Sequence, residues 1–481
     1  MASTDEETTG ALVIFGISGD LARKMTFHAL YRLERRRRLN CPVIGVAVDA
    51  WTDERLRAEA KAAIEGSEPR FSQRVFSRLA QRLHFVKGDF NDQKTYSELA
   101  QRLKGVGTPL FYLEIPPSLF GTVVTNLGRA GLTKGARVMV EKPFGHDLQS
   151  ARDLNRQLHQ VLDEDQILRI DHFLGKEPVM DLQFLRFAND VLEPVWNRDH
   201  ISAVQISMAE DFGVEDRGRF YDAVGALRDV VQNHLLQVLA LVAMEPPAGA
   251  DADDLRNKKA DVFRAVPGIE PQHYVRGQYL GYREVAGVDR HSTTETYAAL
   301  RLGIDNWRWA GVPFFIRAGK AMAERVTEVR VVFRHPPHLA FLGHSAKAEA
   351  NQVILRIDPE PGLRIVLNSK GGEGQVAQAV HLDLSFAAEV GRPAEPYERL
   401  IDDALRGDHR LFTREDTVEE TWRIVAPLLE DPGPLATYEQ GTWGPEEAAR
   451  LVRGHPGWHD PWLAAVAGER SRNKSAYGRK R

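Results

Sequence analysis

One cysteine, Cys41, stands in a chain of 481 residues. That scarcity excludes an intrachain disulfide and a zinc site built from several cysteines. Long apolar runs are also missing. No stretch reaches the ~20 residues that a membrane-crossing helix needs, so no membrane partner is expected. Excess charge of either sign is absent too: the formal net charge is -4 and the isoelectric point ≈ 6.5. A nucleic-acid partner, which calls for a broad basic surface, is therefore not expected, and the run Arg35 to Arg38 reads as a solvated helix end. Neither an internal repeat nor a low-complexity segment is visible. Nothing at the start resembles a signal peptide, which together with the lone cysteine makes the expected location cytoplasmic.

What is present is ordinary globular material, 43% hydrophobic and 27% charged. The length exceeds the size at which one core stops growing, so two domains are expected. Residues 1–10 are polar and acidic and residues 466–481 basic and poor in large apolar groups, so both ends are expected to be disordered.

Between these ends the patterning changes once. The apolar run Ala11 to Phe15 ends at Gly16, after which Leu21, Met25, Ala29 and Leu33 recur every four residues: strand, glycine turn, helix. Further strands are expected at Val43 to Val48, His84 to Val86, Leu110 to Leu113 and Arg137 to Val140, with helical patterns between them. This alternation predicts a Rossmann-like α/β domain over 11–170. Beyond it, period-two segments succeed one another at Val204 to Met208, Tyr297 to Leu302, Val329 to Phe333, Val353 to Ile357, Leu363 to Leu367 and Val380 to Leu384. They predict an α+β domain over 171–465 with a large, mainly antiparallel sheet, and helices at Ala223 to Met244 and Val418 to Leu429. A second subunit could cover part of such a sheet.

Several clusters carry chemistry. Gly16-Ile17-Ser18-Gly19-Asp20-Leu21-Ala22 departs from the usual dinucleotide spacing, yet it follows a buried strand and opens a helix, where free N–H groups suit a pyrophosphate. An ordinary glycine turn is the alternative. Coenzyme choice is read at the end of the second strand, where Asp49 favours the ribose hydroxyls of NAD, while Arg23 and Lys24 could serve a 2′-phosphate; NAD and NADP both stay open. Pro116, ending another strand, is expected on the nicotinamide side. Glu141-Lys142-Pro143-Phe144-Gly145 puts Lys142 at a strand's carboxyl end, where open sheets bind ligands.

Residues 169 to 177, Arg-Ile-Asp-His-Phe-Leu-Gly-Lys-Glu, gather an acid, an imidazole and cations around one glycine; they form either an anion site or a solvated turn. His234 lies in an apolar helical pattern, sharing a face with Leu227, Val230 and Val238. It is either a satisfied core histidine or a buried general base. Arg317, Lys320 and Arg325 supply three cations that would suit a phosphorylated substrate or a solvated edge.

Taken together, the motifs at 16–22, 141–145, 169–177 and 229–234, with Gly311-Val312-Pro313-Phe314, Gly319-Lys320 and Pro396-Tyr397-Glu398-Arg399, resemble the glucose-6-phosphate dehydrogenases over nearly the whole chain. The resemblance implies oxidation of D-glucose 6-phosphate to 6-phospho-D-glucono-1,5-lactone by NADP or NAD, the first step of the oxidative pentose phosphate pathway, without a metal. It also implies a homodimer or homotetramer. By the same resemblance His234 is the general base and Asp171 its partner, and His172, Lys176 and Arg325 grip the phosphate. Lys142, Glu210, Asp229 and Lys320 hold sugar hydroxyls, while Gly16, Ser18, Gly19, Asp20, Leu21, Ala22, Asp49, Pro116 and Lys142 meet the coenzyme. Two positions depart from the family pattern. Phe173 replaces a tyrosine whose hydroxyl helps hold the phosphate, and Val48 replaces an arginine that meets the 2′-phosphate. Two rival readings are a dehydrogenase of another phosphorylated sugar and a catalytically idle dinucleotide or sugar-phosphate sensor on this fold.

Overall fold

The computed structural model describes residues 9–336, 348–371, 376–389, 391 and 394–463. Two compact units divide it: one comprises residues 1–180, 232–264 and 394–426, the other 181–231, 265–393 and 427–481.

In the first unit, strands β1 (Ala11–Phe15), β2 (Val43–Ala47), β3 (Leu83–Lys87), β4 (Pro109–Leu113), β5 (Arg137–Val140) and β6 (Ile167–Ile170) form a parallel sheet in the order 6-5-4-1-2-3. The short strand β15 (Phe412–Thr413) adds antiparallel to β6. Strand side chains alternate between faces, and both faces are covered. Leu12 and Ile14 enter one core with Leu30, Leu56 and Leu79, while Ala11, Val13 and Phe15 enter another with Leu99, Val123 and Leu158. Each fully buried aliphatic side chain contributes about 1.5–3 kcal/mol. Strand order reverses between β1 and β4, whose carboxyl ends carry the Gly16 turn and Pro116; such a switch point opens a crevice for a ligand.

The second unit is built on β7 (Ile201–Ala209), β8 (Tyr274–Tyr279), β9 (Tyr297–Leu302), β10 (Phe314–Gly319), β11 (Val326–Phe333), β12 (Gln352–Asp358), β13 (Gly362–Gly371), β14 (Val376–Ser385) and β16 (Leu435–Tyr438). Their order is 14-13-12-11-7-10-9-8-16, antiparallel except for the pairs β7–β10 and β8–β16. Polar residues on one face of its strands are met by the segment 457–462: Arg317 and Arg330 donate to the carbonyls of His459 and Asp460, and Glu328 accepts from the Trp462 N–H.

The compact units cut across the sequence boundary at residue 170. Residues 394–426 join the first unit because Leu400, Ile401, Ala404 and Phe412 fill its core, a long-range pairing that a linear reading cannot see. Disorder to residue 10 does not hold for its last two positions, since the Thr9 hydroxyl donates to the Leu405 carbonyl and the Gly10 N–H to that of Thr108. The remaining terminal expectations, residues 1–8 and 466–481, lie outside the described residues. The helix expected over Ala223 to Met244 is two segments, a π-wound Leu227–Leu235 and an α-helical Leu236–Ala243, and it is buried nearly all round rather than along one stripe.

Candidate active site

At the carboxyl end of β6 the chain turns tightly, with the N–H groups of Leu174, Gly175 and Lys176 bonding to the carbonyls of Asp171, His172 and Phe173. The Asp171 carboxylate is fixed inside this turn. Its Oδ1 accepts the Phe173 N–H at 2.9 Å and lies 2.5 Å from Nδ1 of His234. With Nδ1–H donating to the acid, Nε2 of His234 keeps its lone pair. Lys142, just past β5 and joined to Pro143 by a cis peptide bond, places Nζ 3.0 Å from that Nε2. The downstream turn is held by Gly145, at φ +79°, where a Cβ would fall 2.5 Å from the Ala151 N, and by an Asp147–Ser150 capping box.

Aromatic rings hold the imidazole in place. Phe173 stacks on His234 with centroids 4.4 Å apart, and His172 meets it edge-on at 4.5 Å. Lys176 sets its ammonium 4.3 Å over the far partner, the Phe173 ring. The aromatic at position 173 thus packs against the His234 imidazole itself, apart from any hydroxyl it lacks.

Electrostatics follow from this packing. Burial raises the Asp171 carboxyl, but the charge and hydrogen bond of His234, with His172 and the Phe173 N–H, outweigh it and hold the group well below the usual carboxylate range. Burial, His234 and Lys142 together push His172 well below an ordinary imidazole, so without an anion it is neutral. The donor atoms of Asp171, His172 and His234 lie within 4.8 Å of one another. Nδ1 is committed to Asp171 and an ammonium faces Nε2, an arrangement for handling a proton rather than a metal ion.

Beneath Lys142 lies a buried acid cluster that sequence reasoning missed. Tyr112 donates to Glu141 at 2.7 Å, Thr26 donates to Glu114, and burial pushes Glu141 up to about 7 and Glu114 up to about 8. Glu141 and Tyr397 stood in recognisable motifs, but nothing local marks the strand residues Tyr112 and Glu114.

At the glycine turn, Gly16 has φ +87°, and a Cβ there would stand 2.3 Å from the Glu114 carbonyl. Only glycine allows this close turn, which leaves a cradle fitted to a dinucleotide phosphate ahead of the helical residues from Ala22 onward. Ser18 donates to Asp49 at 2.6 Å, tying the turn to the end of β2, and Val48 is 59% exposed. Asp20 and Lys24 pair at 3.7 Å, while Arg23 pairs with Glu59 and covers Trp51. Leu21 is half-buried, Ala22 buried, and Pro116 exposed beyond β4.

In the second unit, Glu210 and Lys320 follow the parallel neighbours β7 and β10, and Lys320 Nζ is 2.6 Å from Glu210 Oε2. Phe212 and Tyr221 flank that ammonium, each ring 5.2 Å away. Burial, then the charge of Asp229, raises the Tyr221 hydroxyl well above its ordinary value. Arg325 goes elsewhere: it pairs with Asp358 at 2.9 Å and lines a cavity of about 710 Å³ with Arg330, Arg356, Arg364 and Trp462, which Lys320 and Glu210 do not line.

Comparison with known proteins matches both parts of the chain. A family model described as "Glucose-6-phosphate dehydrogenase, NAD binding domain" covers residues 13–181, and one described as "Glucose-6-phosphate dehydrogenase, C-terminal domain" covers 183–459. Glucose-6-phosphate 1-dehydrogenase 1 of Mycobacterium tuberculosis is 58% identical over 452 residues, 94% of this chain and 96% of that protein. A crystal structure of glucose-6-phosphate 1-dehydrogenase from Mycobacterium avium superposes with a TM-score of 0.90 at 60% identity, covering 95% of this chain and 100% of the other. A glucose-6-phosphate dehydrogenase in complex with its substrate glucose-6-phosphate gives 0.88 at 35% identity, covering 96% and 100%.

Proposed function

The chain belongs to the glucose-6-phosphate dehydrogenase family, and from that premise we propose the chemistry of its site: oxidation of D-glucose 6-phosphate at carbon 1, giving 6-phospho-D-glucono-1,5-lactone. The observation that carries this reading is the sealed Asp171–His234 pair, which leaves Nε2 as the one basic ring nitrogen. The anomeric hydroxyl loses its proton to Nε2 as the C1–H bond breaks and the C1=O bond forms. A bound nicotinamide dinucleotide supplies the acceptor for the hydride. Asp171 orients the imidazole and compensates its positive charge, the role a buried acid plays beside a general base. Lys142 steadies the hydroxyl oxygen; Glu210, Asp229 and Lys320 hold the other hydroxyls; His172 and Lys176 take the phosphate, whose charge favours the protonated form of His172, whereas Arg325 is engaged with Asp358.

The coenzyme turn fits NAD and NADP alike. Asp49 suits the ribose hydroxyls of NAD, and with Val48 offering no charge, a 2′-phosphate would call on Arg23 or Lys24, which pair with Glu59 and Asp20. The apolar side chains Leu367, Val380, Leu382 and Leu384 stand exposed on neighbouring β13 and β14, which supports a homodimer closing over that sheet. The test is absorbance at the reduced-nicotinamide band with glucose 6-phosphate and either coenzyme. Turnover with this sugar well above that with other phosphorylated sugars supports the reading. Binding without turnover would instead favour an idle sensor.

A further inference from the structure

Beyond β7 and β10 the chain builds a small, rigid platform. The Glu210 N–H donates to the Gly319 carbonyl at 3.0 Å, and the N–H groups of Met322 and Ala321 donate back to the carbonyls of Glu210 and Phe212, each at 2.9 Å. Val214 is fixed as well, its N–H donating to the Tyr279 hydroxyl at 3.3 Å. Phe212 therefore projects from backbone tied to the loop that carries Lys320. Its ring and that of Tyr221 lie equally near the ammonium, each centroid 5.2 Å from Nζ.

The two rings are otherwise unlike. Tyr221 is 3% exposed and belongs to a core with Tyr282 and Tyr297, so burial accounts for its place. Phe212 stays 39% exposed, beside a lysine and a glutamate that already satisfy one another at 2.6 Å. An open aromatic face next to a few fixed polar groups has the make-up of a ligand pocket. The chair of β-D-glucose 6-phosphate holds every substituent equatorially, which leaves axial C–H bonds on both faces of the ring. Such an apolar face rests well on the electron-rich face of an aromatic ring.

We propose that Phe212 is a specificity-determining residue that touches the substrate: its ring receives one C–H face of the pyranose while Glu210 and Lys320 take hydroxyls at the edge. The proposal rests on the dehydrogenase reading. An axial hydroxyl on the stacked face would be pressed against the ring without a hydrogen-bond partner, which disfavours it. Mannose 6-phosphate and galactose 6-phosphate carry such a hydroxyl on one face, and allose 6-phosphate carries it on the other.

The test is Phe212→Ala in the full-length protein, assayed with glucose 6-phosphate and these epimers, as substrates or, where turnover is too slow, as competitive inhibitors. KM for glucose 6-phosphate is expected to rise about three- to tenfold with kcat within about twofold, since stacking acts alike on the ground and transition states. For the epimers whose axial hydroxyl lies on the stacked face the change should stay within about twofold, so the preference for glucose 6-phosphate over them narrows. Phe212→Tyr keeps the ring face and should hold KM to within about twofold of the parent's. A KM that Phe212→Ala leaves within about twofold of the parent's would overturn the proposal, as would a failed rescue by tyrosine. So would an equal loss on every sugar, which marks a ring that only steadies the Lys320 ammonium. If the alanine variant is insoluble, Phe212→Leu, which keeps bulk without a ring face, carries the same expectation; if neither folds, Phe212 is a folding residue and the proposal is wrong. Failure of the dehydrogenase reading would show separately, as no glucose 6-phosphate-dependent reduction by the unsubstituted protein.

Discussion

Asp171 with His234 and Glu210 with Lys320 are two acid–base pairs of nearly equal length, 2.5 and 2.6 Å, one in each compact unit. Their surroundings differ. The first has side chains 4% and 2% exposed and is locked by Phe173, His172 and a backbone N–H; the second is 23% and 12% exposed between two aromatic rings. Away from water an ionic hydrogen bond is strong and costly to break, whereas a partly hydrated pair is worth little and opens easily. The sealed pair is therefore suited to persist through turnover and do the chemistry. The open pair is suited to part and receive sugar hydroxyls.

This contrast is broken most easily at the base. His234→Asn is expected to lower kcat by about 10²–10⁴-fold with little change in KM, measured by steady-state coenzyme reduction. A KM effect without a kcat effect would erase the distinction between the pairs. Asp171→Asn should cost about 10²-fold in kcat by loosening and mis-orienting the imidazole. It carries a pH signature as well. Because Asp171 is held below its ordinary range by His234 and His172 against the pull of burial, its contribution to stability is complete above the unfolded value of about 3.9 and is lost as pH falls toward the folded one. The Tm difference between parent and variant should thus be flat near neutrality and shrink below about pH 4; a difference that widens on acidification would contradict a depressed Asp171.

At the open pair, Lys320→Ala should raise KM for glucose 6-phosphate by about 10–100-fold, the worth of a charged hydrogen bond, and alter kcat less. A dominant loss of kcat would move this lysine into the chemistry. The smallest effect is expected at the edge of the sealed pair, where Phe173→Tyr adds the hydroxyl that the family pattern includes. A ring already stacked on His234 leaves that hydroxyl little freedom, so KM should fall only about two- to tenfold; a fall in kcat instead would show that packing on the base outweighs phosphate contact.

The parallel sheet was legible because each of its first five strands is a short apolar run between helical patterns, and the second sheet because its strands alternate. Strands β8 and β16 escaped notice: Arg276, Gly277 and Gln278 interrupt the apolar pattern of one, and the other has only four residues. Residues 394–426 could not be assigned to the first unit from sequence, since β15 pairs with β6 across more than two hundred positions. In the site, the motif residues Lys142, Asp171 and His234 are brought together as the motifs suggested. In the sequence Phe173 stands out only for its missing hydroxyl, because its stacking on His234 depends on tertiary packing.

The central claim is that His234 accepts the hydroxyl proton in the same step that releases the hydride, and its most direct test is single-turnover coenzyme reduction by His234→Asn using glucose 6-phosphate deuterated at carbon 1. The variant should bind the sugar about as tightly as the parent, reduce coenzyme at least about 10²-fold more slowly, and show a full primary isotope effect because chemistry has become limiting. A rate within a few-fold of the parent's would contradict the account.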